Sequence, residues 1–177
     1  MIIREFKYKF VNSTNDIAIH LIKKKNIKRG FVLAEKQKKG RGQRGKKWIS
    51  YKGNLFVSIF YSLEKMNFSL KQLTIINAKL IIKLLSPYYK KKIKIKLPND
   101  ILIKQKKICG ILQETIEIDG IKYLIVGIGL NLIKSPNINN YHTTDLYELT
   151  KTKISVNRMY KELLFIYKNF LKKQKGF

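Results

Sequence analysis

Between residues 40 and 48 the chain reads Gly40-Arg41-Gly42-Gln43-Arg44-Gly45-Lys46-Lys47-Trp48, with no helical or strand period. Three glycines leave backbone N–H groups free to turn inward, and two guanidinium groups can each fork onto a phosphate or carboxylate. Only 5 of the 38 basic residues are Arg, and two of them stand in this stretch, where bidentate recognition is the task Lys performs poorly. The letters also satisfy the dinucleotide fingerprint GxGxxG. That fingerprint opens a helix directly after the first strand of a βαβ unit, whereas Lys46 to Gly53 carry no helical period and no βαβ unit is read here. A Walker loop is excluded, because Lys47 stands where Ser or Thr is required. A phosphate- or carboxylate-wrapping loop remains, with a solvated basic turn as the alternative.

Two further groupings could carry chemistry. Asn99-Asp100 follows Pro98 at a strand end, and Lys106-Lys107 and Gly110 lie on the adjoining hairpin, so an Asp and a Lys can face each other across a short distance. The alternative is a turn Asp beside a solvated Lys. Gly127-Ile128-Gly129-Leu130-Asn131 places two glycines on one face of a strand, where something can approach the backbone, or where a β-bulge lies.

The elements that must position these groups alternate in a mixed pattern. Residues 2–11 read as a half-buried strand, after which Asn12, Ser13 and Thr14 offer capping side chains to an apolar-periodic helix. Residues 30–35 form a second strand, residues 36–53 a long loop and residues 54–63 a third strand. Ser69 caps a helix running to Pro87. Strands follow at 93–97, 101–103, 108–118 and 121–132, joined by tight turns that imply antiparallel pairing, with Asp119-Gly120 at one hairpin. An Asn-rich loop from Pro136 to Asn140 leads to helices at 143–150 and 155–173. The class is α+β: a central, mostly antiparallel mixed sheet flanked by helices. The 177 residues are read as one domain, without repeat, linker or second core, ending simply at Gly176 and Phe177.

The net charge of +27 favours anionic partners, yet 33 of the basic residues are Lys in a chain also crowded with Ile and Asn, a pattern that compositional bias alone would produce. One cysteine, Cys109, excludes an internal disulfide and fits a reducing compartment. The N-terminus lacks the apolar core of a signal peptide, and no segment is apolar for the roughly 18 residues a membrane span needs. A cytoplasmic protein without membrane contact is expected.

Five motifs occur in order and together resemble the catalytic domain of biotin protein ligases. Ser13-Thr14-Asn15 looks like that family's STN segment. Gln37 and the loop from Gly40 to Trp48 look like its GRGRxGRxW loop, and Lys96-Leu97-Pro98-Asn99-Asp100 its KWPND. Lys107 to Leu112 matches KxxGIL, and Gly127 to Asn131 matches GIGxN. The resemblance implies the biotin/lipoate ligase fold, which is class II synthetase-like. It implies ATP-dependent attachment of biotin to a lysine of a biotin carboxyl carrier protein through a biotinoyl-5′-adenylate.

By that resemblance Lys107, Arg41 and Asp100 are the catalytic group. Lys107 stabilises charge near the biotin carboxylate and phosphate, Arg41 closes over the adenylate, and Asp100 orients or deprotonates the incoming amine. Ser13, Thr14, Asn15 and Gln37 would line the biotin site, with Ser13, Thr14 and Gln37 bonding its ureido ring. Gly40, Arg41 and Gly42 belong to its loop, Trp48 walls it, and Gly110 and Gly129 leave room for the bicycle and valeryl chain. Arg41, Arg44, Trp48, Asn99, Lys107 and Asn131 would contact ATP or the adenylate, with Asn131 near the adenine. Biotin and ATP are substrates; Mg²⁺ accompanies ATP on phosphate oxygens with one or two protein oxygens, and no dedicated metal site is expected.

Departures from the pattern carry expectations of their own. Gln43 and Lys46 stand where the family commonly has Arg, which implies a leakier adenylate. Leu97 and Ile133 replace a Trp and an Asn in positions that tolerate it. No N-terminal DNA-binding segment and no C-terminal small β domain are read in the chain. The expected partner is an acidic carrier domain, to which the basic charge is suited, with no specific nucleic acid; a homodimer is compatible. A lipoate or octanoate ligase is the near alternative, and a basic nucleic-acid-binding module the distant one.

Overall fold

The computed structural model describes residues 3–139 and 141–174, so the expectations at Ile2, Asn140, Gly176 and Phe177 lie outside the described residues. Seven strands form one sheet: β1 (Arg4–Val11), β2 (Arg29–Gln37), β3 (Leu55–Ser62), β4 (Ile93–Lys96), β5 (Asp100–Ile103), β6 (Lys106–Ile118) and β7 (Ile121–Leu130), in the order β1-β2-β3-β7-β6-β5-β4. Four helices accompany it: α1 (Thr14–Lys25), α2 (Leu70–Leu85), α3 (Leu146–Thr150) and α4 (Val156–Lys172). The described residues match the expected architecture.

Every strand pair is antiparallel except β1 with β2, which run parallel and are joined through α1. One βαβ unit therefore exists, contrary to the sequence reading, because α1 packs on the sheet and returns the chain to the start of the next strand. The dinucleotide reading still fails. The glycine loop follows β2 and forms only a single 3-10 turn at Gln43–Gly45.

Strand alternation divides the sheet into two unlike faces. Leu55, Val57, Ile59 and Tyr61 of β3 and Leu124, Val126 and Ile128 of β7 point into the main core with α2 and α4. On the other face, Val32, Phe60 and Ile125 meet Ala18, Leu21 and Ile22 of α1 in a smaller cluster. Further along that second face β6 and β7 carry glycines in place of large side chains. Ser58 pairs with Gly127 and Phe56 with Gly129, while Gly110 of β6 sits opposite Gly129. A trough is left beside the N-terminus of α1.

Helix ends explain the bounds. Ser69 and Gln72 form a reciprocal capping box on α2, as its sequence implied. Ser155 caps α4, and α4 buries Met159, Tyr160, Leu163, Tyr167 and Leu171 on one stripe. Ser13 occupies the N-cap position of α1 but bonds nothing there with its side chain. The Thr14 N–H instead donates to Gln37 Oε1 of β2 at 2.8 Å, so a distant glutamine caps this helix and the Ser13 hydroxyl stays free.

Candidate active site

The trough deepens into a cavity of about 490 Å³, within the usual range for small-molecule sites. Ser13, Thr14 and Asn15 line it from α1, Gln37 from β2, Arg41 to Arg44 and Trp48 from the loop, Asn99, Asp100, Lys107 and Gly110 from β5 and β6, and Gly129 from β7. Thirteen of the expected site residues thus converge although they span more than a hundred positions in sequence.

The position of Lys107 has a specific backbone cause. Asp100 pairs with Gly110 and Ile101 with Cys109, but Leu102 pairs with Lys107, so the register shifts by one at this point and Ile108 is the extra residue of a β-bulge. In unbroken register Lys107 would oppose Ile103 and point to the core face. The bulge turns it onto the face of Asp100 instead. Lys107 Nζ then lies 2.8 Å from Asp100 Oδ1 and 5.3 Å from the ring centroids of both Trp48 and Tyr141. The Asp and Lys read from sequence as facing partners are an ion pair, and both side chains are largely enclosed. The backbone of Lys107 is pinned as well: its N–H donates to His142 O and its carbonyl accepts from Thr144 N–H.

A polar strip floors the trough next to α1. The Ser58 hydroxyl is shared between two acceptors, Asn15 Oδ1 at 2.5 Å and Thr14 Oγ1 at 2.7 Å, and the Thr14 hydroxyl donates to Gln37 Oε1 at 3.1 Å. Thr14 Oγ1 keeps a lone pair for a ligand N–H. Gln37 Oε1 accepts from Thr14 N–H, and its Nε2 donates to Ser50 Oγ at 3.3 Å, leaving one amide proton free. Ser58 was not singled out in sequence, although a lone serine inside Leu55-Phe56-Val57-Ser58-Ile59-Phe60-Tyr61 is a visible interruption of an apolar run.

The loop forms a short tongue. Trp48 N–H donates to Gly40 O, and Gly42 N–H to Lys46 O. Arg41 leaves the tongue to meet two carboxylates: Nη1 lies 2.8 Å from Glu114 Oε1, and Nη2 lies 2.9 Å from Glu114 Oε2 and 2.7 Å from Asp16 Oδ1. Neither Glu114 nor Asp16 figures among the expected site residues.

Several expectations need correction. Gly129 and Gly110 line the cavity, but the Trp48 indole lies across both, and a Cβ on Gly110 would come within 2.7 Å of that ring, so the room they leave is taken up by this side chain. Gly127 is approached by Asn15, and β7 carries no bulge at either glycine. Gly40 does not line the cavity; a Cβ there would stand 2.6 Å from Trp48 O, so this glycine closes the tongue. Asn131 is buried beside the main cavity and not in it: its Nδ2 donates to Thr144 O, while its Oδ1 has no hydrogen-bond partner among the described residues. It lines a small adjoining pocket with Trp48, Lys107 and Tyr141. Cys109 is fully buried on the core face, where burial pushes its thiol pKa far up, so it takes no part in the site.

Comparison with known proteins completes the description. Residues 8–131 match the family model described as the biotin/lipoate A/B protein ligase family. The chain is 34% identical over 133 residues to the bifunctional ligase/repressor BirA of Bacillus subtilis, covering 73% of this chain and 41% of that protein. It is 31% identical over 125 residues to BirA of Escherichia coli, covering 69% and 38% respectively. The chain thus spans about two fifths of the length of these curated relatives. Among solved structures it resembles the biotin protein ligase from Aquifex aeolicus in complex with biotin and ATP, with a TM-score of 0.81, 27% identity, and coverage of 98% of this chain and 72% of that one.

Proposed function

The chain belongs to the biotin/lipoate A/B protein ligase family, and on that premise we propose that it activates biotin with ATP and transfers it to a lysine of a carrier protein. The observation that carries this reading is that one cavity of about 490 Å³ joins a hydrogen-bonding strip, an arginine- and glycine-rich tongue and an enclosed Lys107–Asp100 pair.

In the first step a biotin carboxylate oxygen attacks the α-phosphorus of ATP, the α–β phosphoanhydride bond breaks, and pyrophosphate leaves. In the second the neutral lysine amine of the carrier attacks the acyl carbon, the acyl–phosphate bond breaks, and AMP leaves. Thr14 and Gln37, with the free Ser13 hydroxyl, suit the ureido group. The enclosed Lys107 ammonium suits the oxygen charge that develops in both transition states, where a fixed cation in a poorly solvated site acts more strongly than in water. Asp100 fixes that ammonium and stands ready to orient the incoming amine or take its proton. The tongue, with Arg41 and Arg44, covers the anhydride against water. Gln43, at the start of the 3-10 turn, brings an amide where a guanidinium would hold phosphate, so the intermediate escapes more readily. The partnerless Asn131 Oδ1 suits the amino group of adenine.

Among the described residues no group of three or more His, Cys, Asp or Glu side chains could hold a metal ion. Mg²⁺ would accompany the nucleotide, held chiefly by phosphate oxygens. No helix among the described residues is long and apolar enough to cross a membrane. Dependence on ATP fits a cytoplasmic setting, and the charge of +27 suits an acidic carrier domain.

The test is biotin-dependent exchange of labelled pyrophosphate into ATP, with lipoate in parallel. Biotin alone should support exchange, and Lys107→Ala should lower it by about two to three orders of magnitude while the circular dichroism spectrum stays that of the parent. Exchange with lipoate and not biotin, or full exchange in Lys107→Ala, would overturn the reading.

A further inference from the structure

Arg41 extends from the tongue toward the floor of the trough, and what it meets there is built from parts distant in sequence. Glu114 lies on β6 on the same face as Gly110 and Leu112, four residues along from the glycine under Trp48. Its carboxylate receives the Arg41 guanidinium through two N–H groups at 2.8 and 2.9 Å, a bidentate fork. The same Oε2 receives Asn15 Nδ2 at 2.6 Å. Asp16, the next residue of α1, takes Arg41 Nη2 at 2.7 Å. The Glu114 side chain is 25% exposed, Arg41 40% and Asp16 48%, so Glu114 is the more enclosed of the two carboxylates. Asn15 in turn accepts from the Ser58 hydroxyl, which also reaches Thr14 Oγ1.

We infer that Glu114, seconded by Asp16, is the positioning group for Arg41: it holds the tongue closed over the cavity and couples that closure to the strip that would receive the ureido ring. The inference rests on the ligase reading for its consequence, though not for the contact itself. Glu114 touches no reacting atom. It acts through Arg41 on one side and Asn15 on the other, so a ligand bonded to Thr14 settles the network that fixes Asn15, Glu114 and the tongue together. Replacing Glu114 by Gln keeps its size but sets an NH₂ group against donors on Arg41 and Asn15, so the fork cannot form in full.

The tongue's own composition provides a readout independent of catalysis, since Arg44, Lys46 and Lys47 are trypsin sites. In the ligand-free protein Glu114→Gln should be nicked between residues 44 and 48 about tenfold faster than the parent, and Asp16→Asn faster by a smaller factor, because local opening governs cleavage of a folded chain. Glu117→Gln, an exposed change on the same strand, should leave the rate unchanged. In the exchange assay Glu114→Gln should raise the biotin KM about fivefold with kcat within about twofold of the parent, the pattern of lost binding and not of lost chemistry. An unchanged nicking rate in a Glu114→Gln protein that melts with the parent would overturn the inference, as would a fall in kcat at constant KM. If the parent itself shows no exchange, the ligase reading fails and the nicking rates still decide whether Glu114 holds the tongue.

Discussion

Trp48 is the single tryptophan of the chain, and its indole lies across two glycines beside Lys107. Gly129→Ala should therefore expel the ring without touching the core behind β7. Its fluorescence should shift to longer wavelength, and exchange should fall by about tenfold, the usual size of an overpacking penalty of 1–2 kcal/mol. An unshifted spectrum would mean that the ring does not rest there. The residues that line the cavity were mostly legible in sequence, because the ordered segments from Ser13-Thr14-Asn15 to Gly127-Ile128-Gly129 are short and local. Their partners were not. Glu114 and Asp16 are ordinary acidic residues until β6 and α1 are brought side by side, 98 positions apart in the chain. The purpose of the glycines was also hidden. Spacing shows that a side chain is missing but not what fills its place, and here the protein's own Trp48 and Asn15 do so.

At the level of elements, strand and helix spans follow from period and capping signals, and β3, β6 and β7 fall within about two residues of their sequence bounds. The parallel β1–β2 pair and the bulge at Ile108 did not show, since both are properties of pairing between segments and not of either segment alone. The short α3 is the element that braces Lys107 from behind. Asp145 caps it, and Glu148 accepts from Thr144 Oγ1 at 2.8 Å and Lys106 Nζ at 3.2 Å, tying the 142–144 backbone to β6. The Thr144 hydroxyl, more than the Lys106 ammonium, holds the Glu148 carboxyl below its ordinary value of 4.5. A carboxyl depressed in the folded state contributes stability that is complete above its ordinary value and is lost as pH falls through the depressed one. Glu148→Gln should accordingly melt below the parent at neutral pH, and the difference should vanish as the solution is acidified through the glutamate range. A difference that persisted in strong acid would show that Glu148 acts by packing alone.

For the whole molecule, the charge of +27 is carried mostly by Lys, while the described carboxylates near the cavity are engaged by Arg41 and Lys107. What an approaching acidic domain meets is therefore net positive charge. The rate of transfer to such a carrier should fall steeply as salt rises, whereas biotin-dependent exchange, which needs no carrier, should change little. Equal salt sensitivity of both reactions would remove the steering argument. The sheet itself carries a further consequence. Ser58 stands between Val57 and Ile59, and Gly127 between Val126 and Ile128, all four fully or nearly fully buried in the core with α2 and α4. Each site position on these strands is thus one peptide away from a clamped hydrophobic residue on either side. The tolerance to which the floor of the cavity is machined is set on the reverse of the wall, by side chains that no substrate meets.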